Sequence, residues 1–446
     1  MQTTRRVYLE TYGCQMNLAD SEVVVGHLAR HGFARAVSVA DADVILLNTC
    51  AIREHAEERV VGRLKQLLAH KLRDPRVKLG VIGCMAQHYR GRLLERLPFL
   101  DLVLGPDEYR RLPAVLAEHG FDDPSVEVRL GRDETYADVM PARSEGVRAW
   151  VTVMRGCDKF CTFCVVPYVR GRERSLPLPL LLEQVRTASA EGFREIVFLG
   201  QTVNAYRDGD LDFADLLHAA ADVDGIARIR FTSPHPSDMS ERVVEAIANE
   251  PKICPQVHLP LQSASNAVLE RMQRGYTIEE YDRLLERLRS ARPGIEFSTD
   301  LIVGFPGETE TDFEATAGYV RHAGYDHVFS FAYSVREGTR AARWVESVPD
   351  EDKQRRLQTL IDLQQEISRR RNLAWHGRYV QVLVEGPARR GCGRMSGKSA
   401  EFKTTVFPAT GQSTGQIVSV RVRESTAHTL IGECLGAASA EVHASA

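Results

Sequence analysis

Twice along this chain, short apolar runs alternate with amphipathic helical stripes, and that alternation restricts the fold more than any other feature. Runs such as VILLN (Val44 to Asn48) and IVFLG (Ile196 to Gly200) read as strands covered on both faces. Strands and helices in alternation specify a parallel sheet. The C-terminal ends of its strands then share one edge, where such folds place ligands. The first series spans residues 5–121, with strands at RRVYLE, DVILLN, KLGVIG and LDLVLG. It predicts an α/β, Rossmann-like parallel-sheet domain. A polar stretch with Asp122, Asp123 and Pro124 then opens a linker over 122–142.

The second series, 143–374, carries strands at AWVTVMRG, EIVFLG, RIRFTS, QVHLPLQS, EFSTDLIVG and HVFSFAYS. Each of the first five leads into a helical segment. Six βα units give most of a TIM-type barrel, two short of closure. The series ends in a charged segment, DEDKQRRLQTLIDLQQEISRRRNLAW, that reads as one long helix. From 375 to 437 the pattern changes to short strands and turns, as in a small β-barrel. The last residues, 438–446, have no packing pattern and read as a disordered tail. A length of 446 residues accommodates this division into about three domains of roughly 150 residues.

The formal net charge of −3 announces no nucleic-acid partner for the chain as a whole. The C-terminal segment differs, with eight basic and four acidic residues. The N-terminus lacks the apolar stretch of a secretion signal, and no apolar run is long enough to span a bilayer. The reading is a cytoplasmic, non-membrane monomer, in which nine cysteines serve as thiols or metal ligands rather than disulfides.

Six of those cysteines fall into two sets. Cys14, Cys50 and Cys84 are distant in sequence, yet each directly follows a predicted strand. Any one alone would read as a small buried residue. Three at the strand ends of one sheet favour a shared metal centre. Cys157, Cys161 and Cys164 form a CxxxCxxC loop after the first strand of the second series, at the face where barrel active sites lie. A structural zinc needs four ligands, but the next cysteine is Cys254 and the next histidine His218. An iron–sulfur cube held by three thiolates instead keeps one iron open, as a catalytic metal must. Cys254, Cys392 and Cys434 show no grouping and read as structural.

With Phe163 before its last cysteine, the CxxxCxxC loop resembles that of the radical S-adenosylmethionine (SAM) enzymes. The resemblance implies that the open iron chelates SAM, which an electron cleaves to a 5'-deoxyadenosyl radical. Polar and glycine residues at the other strand ends fit a SAM and substrate pocket: Gly200, Gln201 and Asn204, then Gln262, Ser263 and Ser265, with Asp300 on the fifth strand and GFPGE after it. Pro306 and Gly307 read as plain turn residues.

The stretches ETYGCQMN, NTCAIRE, GCMAQ, GCDKFCTFC, VPYVRGRERS, HLPLQS and VGFPGET, in this order, resemble the radical SAM methylthiotransferases across nearly the whole chain. The resemblance implies two [4Fe-4S] clusters, the second on Cys14, Cys50 and Cys84, and a C-terminal TRAM domain. It also implies two SAM molecules per turnover, one giving its methyl group and one cleaved, and an electron donor such as flavodoxin or ferredoxin.

Within the family, FLGQTVNAY is most similar to the tRNA-2-methylthio-N6-dimethylallyladenosine synthase branch, which acts on N6-isopentenyladenosine at position 37, beside the tRNA anticodon. Arg170, Arg172 and Arg174 beside the cluster loop, and Arg394 and Lys398 in the C-terminal barrel, are the expected contacts to the anticodon arm. Arg369 to Arg371 read instead as a helix C-terminus. Thr202, Ala264 and Pro234 depart from the branch pattern, and none is expected to touch a cluster ligand. Two rival substrates are a threonylcarbamoyladenosine in tRNA and an aspartate of a small-subunit ribosomal protein. The rival outside the class is a non-catalytic metal-binding RNA module holding zinc or no metal.

Overall fold

The computed structural model describes residues 4–51, 54–118, 123–143 and 146–437. Asp122 and the tail 438–446 lie outside the described residues. The first sheet contains β1 (Arg6–Thr11), β2 (Ala34–Arg35), β3 (Val44–Thr49), β4 (Lys78–Gly83), β5 (Leu102–Leu104) and β6 (Ser125–Glu127). All pairings are parallel, in the order β2-β1-β3-β4-β5-β6. Every residue of β3 is buried because helices cover both faces. Val44 and Leu46 face one core with Val24 and Leu28, while Ile45 and Leu47 face the other with Val60 and Leu64.

The segment expected as a linker is in part a component of this unit. β6 adds an edge strand beside β5, and Tyr136 and Val139 are buried in the core under β3. Tyr136 Oη donates to Pro106 O at 2.9 Å and accepts from Tyr109 N at 2.9 Å. Three residues of strand and two isolated apolar side chains carry no periodicity, so only the free edge of β5 and the waiting core reveal them.

The second unit is an open arc of six parallel strands. These are β7 (Arg148–Thr152), β8 (Glu195–Leu199), β9 (Arg228–Phe231), β10 (Gln256–His258), β11 (Glu296–Val303) and β12 (His327–Ala332). β8 lies between β7 and β9, β11 lies between β10 and β12, and an Ile229–Ile253 bridge joins the two halves. Helices such as Leu178–Ala190 and Ile278–Ala291 cover its outside with Leu181, Val185, Leu285 and Leu288. The charged segment forms one helix, Asp350–Leu373, anchored where Gln364 Nε2 donates to Tyr325 O and Ser368 Oγ to Asp326 O.

The C-terminal strands close a five-stranded barrel: β13 (Tyr379–Pro387), β14 (Arg394–Ser399), β15 (Thr404–Pro408), β16 (Ile417–Ser425) and β17 (Leu430–Ala437). The polar strand β14, RMSGKS, has no sequence signature of its own. It is recruited by pairing with β13 and β15.

This barrel docks on the N-terminal ends of the arc strands. Arg228, the first residue of β9, donates to Lys398 O at 2.8 Å and Gln381 O at 2.7 Å, and Arg230 donates to Ser399 O at 2.7 Å. Glu195, the first residue of β8, pairs with both Arg148 and Arg230. Replacing Arg228 by Ala removes two charge-assisted hydrogen bonds to the barrel backbone, a cost of about 2–5 kcal/mol. Hydrogen exchange should then accelerate across 379–425 while the arc strands keep their protection.

Candidate metal centres

Strand order gathers the first three cysteines. Cys14 follows β1 and begins the helix Gln15–Arg30, Cys50 follows β3, and Cys84 begins the helix Cys84–Tyr89 after β4. β1, β3 and β4 are sheet neighbours, so the three thiols emerge at one edge. Gly13 allows the closest approach: its φ is +130°, and a Cβ there would lie 2.5 Å from Cys50 Cβ. Asn48 Nδ2 donates to Asn17 O at 2.8 Å and Ser21 Oγ at 2.9 Å, tying the end of β3 to the helix that follows Cys14. A hydrogen bond with Cys50, helped by the charge of Arg170 and opposed by burial, pulls the Cys14 thiol down to about 6. Burial pushes Cys84 up, against the pull of Arg170.

The CxxxCxxC loop is pinned from several sides. Gly156 N donates to Gln201 Oε1 at 2.6 Å, Cys157 N to Gly171 O at 3.1 Å, and Thr162 Oγ1 to Arg271 O at 2.9 Å. Two side chains reach the sulfurs. Thr202 Oγ1 lies 3.2 Å from Cys157 Sγ, and Arg274 Nη1 donates to Cys161 Sγ at 3.3 Å. The Thr202 contact corrects the expectation that no departure from the family pattern touches a cluster ligand. Burial raises the Cys157 thiol and pushes Cys164 up to about 12, so metal binding must displace their protons.

Two cysteines of the first set pack against the second unit. Cys84 and Ala51 pack against Val165, which directly follows the cysteine loop, and Val169 on the helix Val166–Arg170. Cys14, Met16 and Ala19 pack against Trp150, Val197 and Leu199 of the arc. Between them lies Asp20, fully buried, with Arg155 at 2.9 Å and Arg170 at 2.7 Å. Burial alone would raise its carboxyl, but the two guanidinium groups hold it below the usual range.

The structure corrects two of the expected RNA contacts. Arg170 is buried, with Nε donating to Cys84 Sγ at 3.2 Å and Nη2 to Asp20. Arg174 is also turned inward, onto Asp107 at 2.9 Å and Gly131 O at 2.6 Å. In RGRERS the three arginines alternate between these buried acids and solvent, a distinction that charge counting does not make. Arg172 remains exposed, paired with Asp158 and stacked 5.3 Å from the Phe160 ring. Arg394 is exposed on β14. Lys398 is half-buried at the barrel junction, with Nζ on Thr404 Oγ1 and 4.5 Å from the Phe402 ring.

The expected SAM residues divide by what already holds them. Gln201 pins Gly156, Asn204 Nδ2 donates to His235 O at 2.9 Å, and Ser265 caps the helix Asn266–Met272 while donating to Asp312 at 2.5 Å. Gly200 admits no Cβ, which would lie 2.7 Å from Met154 Cγ. Phe163 packs edge-on against Phe305. Gln262 takes a positive φ of 75°, with its backbone N–H on Asp300 O. Asp300 Oδ2 lies 3.2 Å from His258 Nε2. Sequence reading missed Asn17, Asp20, Asn48, Arg155, His258 and Arg274. Several sit inside quoted motifs, but single polar residues there give no sign of which sulfur or turn they serve.

Among the described residues, no three His, Cys, Asp or Glu side chains are close enough to hold a single metal ion. The fit to iron–sulfur groups rests on donor chemistry instead. Each set offers three free thiols, and each has a buried arginine donating to one sulfur.

Residues 151–320 match the radical SAM superfamily, and residues 6–105 match a family described as uncharacterized, UPF0004. The chain is 44% identical, over 96% of its length and 96% of the relative's, to a tRNA-2-methylthio-N(6)-dimethylallyladenosine synthase from Chloroherpeton thalassium. A protein of the same name from Carboxydothermus hydrogenoformans is 42% identical, over 95% of this chain and 98% of the relative's. The chain belongs to this family. In fold it is similar to the radical SAM methyltransferase TsrM from Kitasatospora setae, at TM-score 0.58 and 16% identity over 76% of this chain and 74% of that one.

In a member of this family the donor sets make two expectations. Anaerobic reconstitution should give about eight irons per chain, two cubes of four, and replacing Cys14, Cys50 and Cys84 by Ala should leave about four. Iron analysis checks this, and an unchanged content contradicts it.

His235 gives a second test. Burial first, then the charges of Arg274 and Lys159, push its imidazole down to about 2. An unfolded histidine titrates near about 6.5, so the neutral form favoured by the fold contributes its stability above that pH. That stability is lost as pH falls from about 6.5 toward about 2, at up to about 1.4 kcal/mol per pH unit. Denaturation of His235→Gln should show a shallower acid limb than the parent.

Proposed function

We propose that this enzyme inserts a methylthio group at carbon 2 of N6-isopentenyladenosine in tRNA, at position 37 in the anticodon arm. Near full-length likeness to synthases of that name supports the reaction and the substrate. The observation that carries the chemistry is the juxtaposition of two thiol sets, Cys84 packing on the helix that leaves the CxxxCxxC loop. When bound, the loop's cluster supplies the electron that cleaves SAM, and the second cluster offers a sulfur-binding site beside it.

The protein's own residues shape where this happens. Gln201, Gly171 and Met272 hold the cysteine loop by its backbone. Phe163, Phe305, Tyr333 and Trp344 form an aromatic wall beside the loop that excludes water from a radical site. Gln262, Ser263 and Asp300 lie on the strand ends of that rim, where we place SAM. The thiols proposed as ligands are Cys14, Cys50 and Cys84 for one cluster and Cys157, Cys161 and Cys164 for the other.

For tRNA we retain the exposed Arg172 and Arg394 as phosphate contacts and withdraw Arg170 and Arg174, whose charges are already spent inside the protein. Among the described residues no helix is long and apolar enough to cross a membrane. We place the protein in the cytoplasm as a monomer, reduced by a flavodoxin- or ferredoxin-type donor.

Nucleoside mass spectrometry of tRNA from cells with and without the gene tests this reading. Loss of the 2-methylthio group from isopentenyladenosine is expected on deletion. An unchanged tRNA profile, with a methylthio group missing from a ribosomal protein, would transfer the assignment to the protein substrate.

A further inference from the structure

Each cysteine set receives one N–H from a buried arginine, but the two arginines differ in how their charge is balanced. Arg170 donates to Cys84 Sγ and is paired with the buried carboxylate of Asp20 at 2.7 Å. Arg274 donates to Cys161 Sγ at 3.3 Å, and its other partners are neutral: Tyr276 Oη at 3.0 Å and Pro260 O at 3.1 Å. Arg274 is only 7% exposed, and among the described residues it enters no carboxylate ion pair.

A guanidinium withdrawn from water is stabilised by an anion close by, because neutral acceptors replace its hydration only in part. Beyond the Tyr276 hydroxyl, which is itself a donor to backbone carbonyls, the nearest group that can become anionic is the cysteine set. Tyr276 also fixes the arginine's direction: its hydroxyl is held by Leu261 O at 2.8 Å, and Arg274 Nε is directed at that hydroxyl. The charge is therefore aimed at Cys161 by a rigid support rather than left to find it.

We propose that Arg274 is a positioning residue that supplies the counter-charge of the centre at Cys157, Cys161 and Cys164 and raises its reduction potential. The inference rests on the proposed reading of that set as a four-iron site. One-electron reduction adds a negative charge to the centre, with no bond made or broken and no proton moved. The electron comes from a low-potential donor. A fixed positive charge at hydrogen-bond distance from a ligand sulfur favours the more negative state, so the potential rises. Arg170 provides the contrast. A carboxylate, Asp20, stands 2.7 Å from it, so its charge on the other centre is partly offset, whereas Arg274 has no such partner among the described residues.

The test uses full-length protein carrying Cys14, Cys50 and Cys84 as Ala, reconstituted anaerobically, so that one centre remains. Iron per chain is measured with a dithionite titration of that centre followed by electron paramagnetic resonance, without SAM. Arg274→Met is expected to keep its iron and to reduce at a lower potential than its parent, with Arg274→Lys between the two. Equal potentials at equal iron in the methionine variant and its parent would overturn the proposal. If Arg274→Met keeps its circular dichroism but loses iron, retention of iron by Arg274→Lys supports the counter-charge, and loss in both overturns it. A parent that takes up no four-iron cluster would instead sink the reading of the cysteine set itself.

Discussion

The arrangement turns on one buried carboxylate. Asp20 stands on the first helix of the parallel-sheet unit and is shared by Arg155 and Arg170, both from the arc. Three charged groups without water are stable only as a set, since removing the central anion strands two guanidinium ions. Their directionality fixes more than a contact area could. Arg155 lies at the start of the cysteine loop, and Arg170 ends the helix that follows it. One carboxylate thus grips the loop of one thiol set at both ends, while standing six residues after Cys14 of the other. Arg170 Nε then closes the connection by donating to Cys84 Sγ.

Seen from this clasp, the two ends of the arc do different work. The C-terminal ends of its strands carry the cysteine loop and the polar rim, and the parallel-sheet unit packs beside them. The N-terminal ends carry arginines and acids, Arg148, Glu195, Arg228 and Arg230, that fasten the closed barrel through its backbone carbonyls. An RNA reaching both the rim and the outer face of that barrel has to run along the side of the arc. The exposed Arg172 and Arg394 are the contacts proposed for it, while inward arginines hold the units together.

Much of this architecture was legible because it rests on period and order. Continuous apolar strands, glycine-marked turns and cysteines at strand ends are local signals, and they located the sheet, the arc and both thiol sets. Elements recruited by neighbours were not legible. β6 exists because β5 had an open edge, and β14 because β13 and β15 leave a place between them. The same limit explains Arg170 and Arg174. A run of arginines reads as a surface for phosphate, and only the positions of Asp20 and Asp107, distant in sequence, turn two of them inward. Thr202 likewise read as a neutral departure until its hydroxyl was placed beside Cys157 Sγ.

The central claim is that the clasp holds two sulfur centres in register across the junction of two units. Electron paramagnetic resonance of the fully reconstituted, reduced protein measures it directly, through the magnetic interaction between the centres. The account predicts an interaction in the parent that disappears in Asp20→Ala while both centres keep their iron. Two non-interacting signals in the parent, or an interaction unchanged by Asp20→Ala, would contradict it.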